Sequence, residues 1–437
     1  MLKPFSLVSQ CLLFSMRCLW LERKKQIFHF SAVFGLIAFF ALALPARPAW
    51  AVPAAAPAWV PLSDTEIVEQ LPERIRRVQP ASPASAASAA NVTNPAAAAL
   101  EARQAIALSR RLADPRYLGR AEATLAPWWN RPDAPAEIAI LQATIEQSRH
   151  EFDRARATLQ AALARDPTQA QGWLTLATLA RLSADYAAAD AACKRVEQAG
   201  ALLYAQACLL ETQSLRGDFA VANPAFAVLA EQSTEPSVKA WLLSLQAESL
   251  ERAGNRSAAS AAYRRSLQLD ADGYTALAFA DFLLRQRQSA EATQVLVNQP
   301  ESDAVLIRRA YALKLQNDPR WNTLRDSLGS RFAELDARGE NSRLHARERG
   351  LAALWLDGPP LSAWKFAQEN LALQKEPLDW FLAFAAAEAA SLPAEVRLLS
   401  SALQSTGLRD VRLARWQSAA GAAKMASATP QPKGKSP

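Results

Sequence analysis

The sequence predicts an all-α fold laid out as an array of paired helices, and three observations carry that reading. Ala, Leu, Gln, Glu and Arg dominate the 437 residues, glycine is scarce at 14, and runs of β-branched residues are nearly absent, which suits helices joined by short turns. The chain is also longer than a single compact core grows, so several domains or an open repeat array is expected. Finally, one pattern of small and large residues occurs twice between residues 136 and 203 at an offset of 34: Ala143, Phe152, Ala155, Leu159 and Ala162 recur as Ala177, Tyr186, Ala189, Cys193 and Val196. Such a period marks a helix-turn-helix unit that cannot bury its apolar face alone and stacks on its neighbours.

The N-terminus reads as an export signal. Glu22-Arg23-Lys24-Lys25 precedes an apolar run from Ser31 to Leu44, Pro45 and Pro48 then break the helix, and Ala49-Trp50-Ala51 offers the small residues that signal peptidase needs, with cleavage after Ala51. This predicts a periplasmic or secreted chain. The alternative is an N-terminal anchor in the inner membrane facing the periplasm, because Ile27 to Phe30 lengthens the apolar run toward the roughly 20 residues that span a bilayer. Neither Cys11 nor Cys18 sits in a lipoprotein-type box. Residues 52–94 form an Ala/Pro-rich linker with one short helix, where Ser63 and Glu66 make a capping-box pair. The first helix pair is predicted at Pro95 to Leu112 and Pro115 to about Trp129, with Ala97, Leu100, Ala107, Leu108 and Leu112 as the apolar face of its first helix. Asp114-Pro115 makes the turn.

The two regular units, 136–169 and 170–203, carry more than the period. Trp173, Leu176 and Ala177 supply a large, a medium and a small residue in the first helix, and Pro167 closes the preceding unit. With these residues the chain resembles tetratricopeptide repeat (TPR) proteins. The resemblance implies a right-handed α-solenoid of about nine helix pairs with a C-terminal capping helix, spanning 95–423, and a concave groove that binds a protein or peptide partner. It implies no reaction. Groove candidates on the first helices are Glu137, Ile140, Thr144 and Gln147, then Gln171, Leu174, Thr178 and Arg181, with Arg285 in a similar part further on. Family members that grip a C-terminal carboxylate use Lys and Asn there; Leu174 and Thr178 do not match that clamp.

Further pairs are read at 203–232, 237–270, 274–299, 302–338, 342–376 and 378–405. Gly217-Asp218-Phe219 turns the first of these, with Asn223-Pro224 as the start of its second helix. Ala222, Phe226 and Leu229 match Ala259, Tyr263 and Ser266 at an offset of 37, a three-residue insertion around Thr234 to Pro236 accounting for the difference. Gly254-Asn255, Asp318-Pro319, Gly358-Pro359-Pro360 and Leu392-Pro393 mark later turns, and Gly407 ends a helix before a polar-faced cap. Residues 424–437 read as a disordered basic tail.

The formal charge of +7 is made at the two ends, by Lys3, Arg17, Arg23, Lys24, Lys25 and Arg47 and by Lys424, Lys433 and Lys435, which leaves the body close to neutral. That is no footprint for nucleic acid. Only His150 and His345 survive removal of the signal; Arg154 stands where a zinc-protease helix would carry its second histidine, and the glycines form no phosphate loop. No catalytic, cofactor-binding or metal-ligating residue is assigned, and the chain reads as a non-enzyme. Cys193 and Cys208 lie on helices whose faces should meet, so they either close a disulfide in an oxidising compartment or serve as two small core residues. Trp128 and Trp129 are adjacent, so a helix points them differently. These features leave two functions: a protein-interaction scaffold of the bacterial envelope, or a ligand-handling accessory that binds polysaccharide through an exposed Trp128 or Trp129.

Overall fold

The computed structural model describes residues 94–339 and 342–417. The predicted signal, nearly all of the 52–94 linker, the basic tail, Cys11 and Cys18 lie outside the described residues. Among the described residues there are nineteen α-helices and no strand, and eighteen of the helices form nine consecutive pairs. These are α1 (Pro95–Leu112) with α2 (Arg116–Leu125), α3 (Ala136–Ser148) with α4 (Phe152–Arg165), α5 (Ala170–Leu182) with α6 (Tyr186–Gln198), and α7 (Leu202–Leu215) with α8 (Phe219–Gln232). There follow α9 (Pro236–Arg252) with α10 (Arg256–Leu269), α11 (Gly273–Arg285) with α12 (Ser289–Val295), and α13 (Asp303–Leu315) with α14 (Trp321–Ala337). The last two pairs are α15 (Ala346–Trp355) with α16 (Pro360–Leu373) and α17 (Pro377–Ala389) with α18 (Pro393–Thr406); α19 (Ala414–Gln417) caps the end. The fold is thus an all-α solenoid of stacked helix pairs.

One backbone device repeats in every pair. The turn between the two helices passes through a left-handed residue: Ala113, His150, Ala184, Gly217, Gly254, Arg287, Asn317, Asp357 and Ser391 all have φ between 55° and 96°. The next residue reaches back to close the helix end, as in Asp185 N–H to Ala180 C=O at 2.9 Å, Asp218 to Gln213 at 3.0 Å and Asn255 to Leu250 at 2.9 Å. Only two of the nine are glycine, so most turns hold a side chain in a region that L-residues enter at a cost.

Three local readings need correction. In α1 the buried residues are Ala98, Ala99, Ala102, Ala105 and Ile106, while Leu100 and Leu112 are each 46% exposed. Small side chains let α1 approach α2 and α3 closely, and the leucines are turned to the flanks. Helix α2 ends at Leu125 rather than near Trp129, and 126–128 continue as one 3-10 turn, because Pro127 can give no N–H to a continuing helix. Helix α8 starts at Phe219, so Pro224 lies inside it rather than in its first turn. Burial of Ala222, Phe226 and Leu229 on one face holds this helix together through the proline.

The core runs as a relay of clusters, each shared by successive pairs: Ile138, Leu141 and Ile145 close the first, and Cys193, Cys208, Phe226 and Trp241 belong to a later one. Cys193 on α6 and Cys208 on α7 are joined as a disulfide, with Cα atoms 5.6 Å apart. The last cluster departs from nearest-neighbour stacking. It gathers Trp380, Phe384, Leu403 and Trp416 from the C-terminal pairs and also Tyr186 and Leu215 from the third and fourth. The backbone makes the same connection: Lys375 N–H donates to Leu182 C=O and Arg409 N–H to Leu215 C=O, both at 2.8 Å. A Cβ placed on Gly217 would lie 2.9 Å from Arg409 side-chain carbons. The sequence predicted a rod-like array with an open groove; the solenoid instead curls until its end packs against its own inner wall.

Two measurements check these features. Arg287 is exposed at φ 62°, so Arg287→Gly should raise stability to urea by about 0.5–1 kcal/mol, the left-handed penalty exceeding the added chain entropy. Reducing the Cys193–Cys208 bond, which spans 15 residues, should lower stability by ~3 kcal/mol. An unchanged unfolding midpoint in either experiment would contradict the corresponding assignment.

Candidate functional site

The inner wall is built from the C-terminal turns of the first helix of each pair. Glu211 on α7 and Glu248 on α9 stand 37 residues apart, the same offset that relates α8 to α10, so equivalent positions of successive repeats carry a carboxylate inward. Glu251 and Arg285 are likewise related by 34 residues on α9 and α11. These groups and the C-terminal segments enclose a cavity of about 120 Å³, lined among others by Arg181, Glu211, Glu248, Arg252, Asp281 and Glu376.

Charge in this wall is paired from one helix to the next. Arg181 lies 3.0 Å from Glu211, and Arg308 on α13 grips Asp281 on α11 with two bonds of 2.8 and 2.7 Å. Glu251 receives Arg285, the Tyr263 hydroxyl at 3.2 Å and Arg412 at 3.2 Å. On the closing side Arg347 of α15 bonds both oxygens of Asp379 at 2.7 and 2.8 Å and Glu376 at 2.7 Å, while Asn370 donates to Asp379 at 2.7 Å. Planar guanidinium forks suit such bidentate pairing.

Burial tunes the carboxylates. It pushes Glu248 up to about 7, against the opposing pull of Arg252 and a hydrogen bond from Tyr274. Burial also raises Glu211 and Glu376, and lifts Glu348 on α15 to about 7. At Glu251 burial acts in the same sense, but Arg285 and Arg412 outweigh it and hold the carboxyl below its ordinary value.

The structure sorts the residues expected from sequence. Thr178, Arg181 and Arg285 line the cavity, but the chain's own C-terminal segments face them. Leu174 packs in the core, the Thr144 hydroxyl is turned to Ile140 C=O at 2.9 Å, and Gln147 is buried. Gln171 donates to Thr175 at 3.3 Å, and Glu137 pairs with Arg103 on α1. Trp128 and Trp129 both pack, half-buried, on the first core cluster rather than standing clear as a platform. Sequence reasoning missed Glu211, Glu248, Glu251, Asp281, Arg308, Arg347, Glu376 and Arg412. Their one signal was repeat-equivalent spacing, since a charged residue on a helix ordinarily reads as a solvated face.

A self-closing α-solenoid of helix pairs, with an inner wall of paired charges, is the class of protein these features define. Solved structures similar to it include one described as the functional characterization of Pseudomonas aeruginosa pilF, at 17% identity and a TM-score of 0.33, covering 55% of this chain and 99% of that one. Another is the TPR domain of P58(IPK), at 15% identity and a TM-score of 0.21, covering 75% of this chain and 98% of that one. At these identities the likeness concerns the fold alone. No protein-family model matches the sequence, and neither does any curated protein.

The ionic wall sets two stability tests. Asp379 is fully buried, so Arg347→Met strands its charge and should cost about 3–5 kcal/mol in denaturant unfolding. Glu248 and Glu348 bind protons more tightly folded than unfolded, so folding takes up protons between the ordinary value of 4.5 and about 7. Their contribution is therefore present below pH 4.5 and lost as pH rises through 7, by at most about 3 kcal/mol each. Glu248→Gln and Glu348→Gln should flatten the decline; an equally steep decline in the double variant would contradict it.

Proposed function

We propose that this chain is a non-catalytic protein-interaction scaffold of the bacterial cell envelope, holding an extended segment of a partner protein along the inner wall of its solenoid. The observation that carries this reading is that the wall already grips extended polypeptide. The N–H groups of Lys375 and Arg409, in irregular segments, end on the terminal carbonyls of α5 and α7, and the Arg412 side chain follows onto Glu251. A partner trades places with these segments, giving its own N–H groups to the same carbonyls and a basic side chain to Glu251. Stacked helix pairs present extended surfaces suited to this.

The envelope location is supported by the basic lead, apolar run and Ala49-Trp50-Ala51 of the N-terminus, and by a disulfide of the kind that persists in oxidising compartments. Any membrane contact goes through the N-terminal segment where it is retained, and no nucleic acid is part of the reading.

The test compares capture of envelope proteins by the mature chain from Val52 with capture by Arg412→Ala, which loosens the hold on Glu251. Arg415→Ala, which removes the pair with Glu388 and the stacking over Trp416 but no contact with Glu251, serves as control. A partner enriched by Arg412→Ala and unchanged by Arg415→Ala is the expected result. Equal capture by all three chains, or capture of nothing, would contradict the inner-wall reading.

A further inference from the structure

Two groups in the central cavity are incompletely satisfied: one oxygen of Glu211, and the side chain of Lys375. Among its lining residues Arg252 lies beside Glu248, Arg285 and Arg412 meet Glu251, Arg308 meets Asp281, and Arg347 meets Glu376. Glu211 is satisfied only in half. The residue is 2% exposed, its Oε2 faces Arg181 at 3.0 Å, and its Oε1 has no hydrogen-bond partner. A buried carboxylate oxygen in that state costs free energy until something donates to it. Lys375 lines the same space from the closing segment, and among the described residues its ammonium has no ion pair or hydrogen bond. The rest of the lining includes apolar surface from Leu182, Leu215, Leu277 and Pro377.

We propose that this cavity is a binding site for a small zwitterion of the free α-amino acid class, its ammonium taken by Glu211 and its carboxylate by Lys375. Size limits the ligand. The cavity measures about 120 Å³ and is partly open to solvent, with room for a small solute such as glycine, alanine or serine. Polarity limits it further, because an anion alone brings no donor to Glu211 Oε1 and a cation alone brings no counter-charge to Lys375. Glu211 belongs to the inner wall on α7, whereas Lys375 precedes α17 and carries the N–H that bonds Leu182. A ligand between them therefore spans the two sides of the closure and strengthens it. The inference is independent of the peptide-holding role, since it concerns the closed form.

Calorimetric titration of the mature full-length chain with glycine, L-alanine and L-serine tests it, with acetate and methylamine as single-charge probes. The zwitterions should bind with a Kd of about 1 mM or tighter, and acetate and methylamine at least about tenfold more weakly. Glu211→Gln and Lys375→Met should each weaken glycine binding by about tenfold or more. Lys375 makes no bond through its side chain that its replacement would remove, so Lys375→Met keeps the test decisive if Glu211→Gln fails to fold. Absence of zwitterion binding, which would mean that solvent alone fills the cavity, overturns the proposal. So does acetate or methylamine binding as tightly as glycine, or undiminished glycine binding by Lys375→Met.

Discussion

Buried charge is the constraint on which the inner half of this solenoid depends. A guanidinium or carboxylate taken out of water must meet its opposite in good geometry, and one left unpaired is strongly destabilising. Here the partners come from different helix pairs: Arg181 on α5 with Glu211 on α7, Glu251 on α9 with Arg285 on α11, Asp281 on α11 with Arg308 on α13, and Arg347 on α15 with Asp379 on α17. Each inward charge thereby specifies which pair stands beside it. The apolar clusters, made largely of Ala and Leu, are far more permissive about neighbours. Arg412 completes the series by returning to Glu251, so the same electrostatics that orders the stack also closes it.

Closure changes what the repeat means. In an open array each unit touches only its neighbours, and stability is a sum of local terms. Contacts of Tyr186 and Leu215 with the cluster around Trp380 and Trp416 tie the third and fourth pairs to the ninth, adding long-range cooperativity to a local architecture. Two short irregular segments, at 374–376 and 408–410, make this possible because the N–H groups of Lys375 and Arg409 within them are not committed to a helix. They meet the carbonyls at the ends of α5 and α7, which a helix terminus leaves without partners of its own.

Much of the architecture was legible in the sequence. Spacing from Ala143 to Val196 contains the helix pair, and proline or glycine at Asp114-Pro115, Gly217, Gly254 and Leu392-Pro393 marks real turns. The left-handed turn residues at His150, Ala184 and Arg287 were not legible, because nothing in their chemistry announces positive φ. The face of α1 was misjudged because alanines, weak in any hydrophobic pattern, make the closer packing surface. The inner site stayed hidden for a different reason. Whether Glu211 or Arg308 faces water depends on contacts made across one turn of the superhelix, and periodicity within one helix carries no record of them. Thr178, Arg181 and Arg285 were placed on the inner wall from repeat position alone, yet what covers them is set by the curvature of the whole array.

The functional reading follows from this geometry: a wall that recognises extended backbone, and a small charged cavity at the seam where the chain grips itself. The cavity exists only while the seam is closed in solution, and exchange with a partner starts from that closed form. Amide hydrogen exchange at Arg409 is the most direct test, because its N–H lies outside any helix and its acceptor is Leu215 C=O, about half the chain away. Closure predicts protection at Arg409 comparable to that of amides inside α17. Exchange at the rate of an unstructured peptide would show that the solenoid is open and contradict the account.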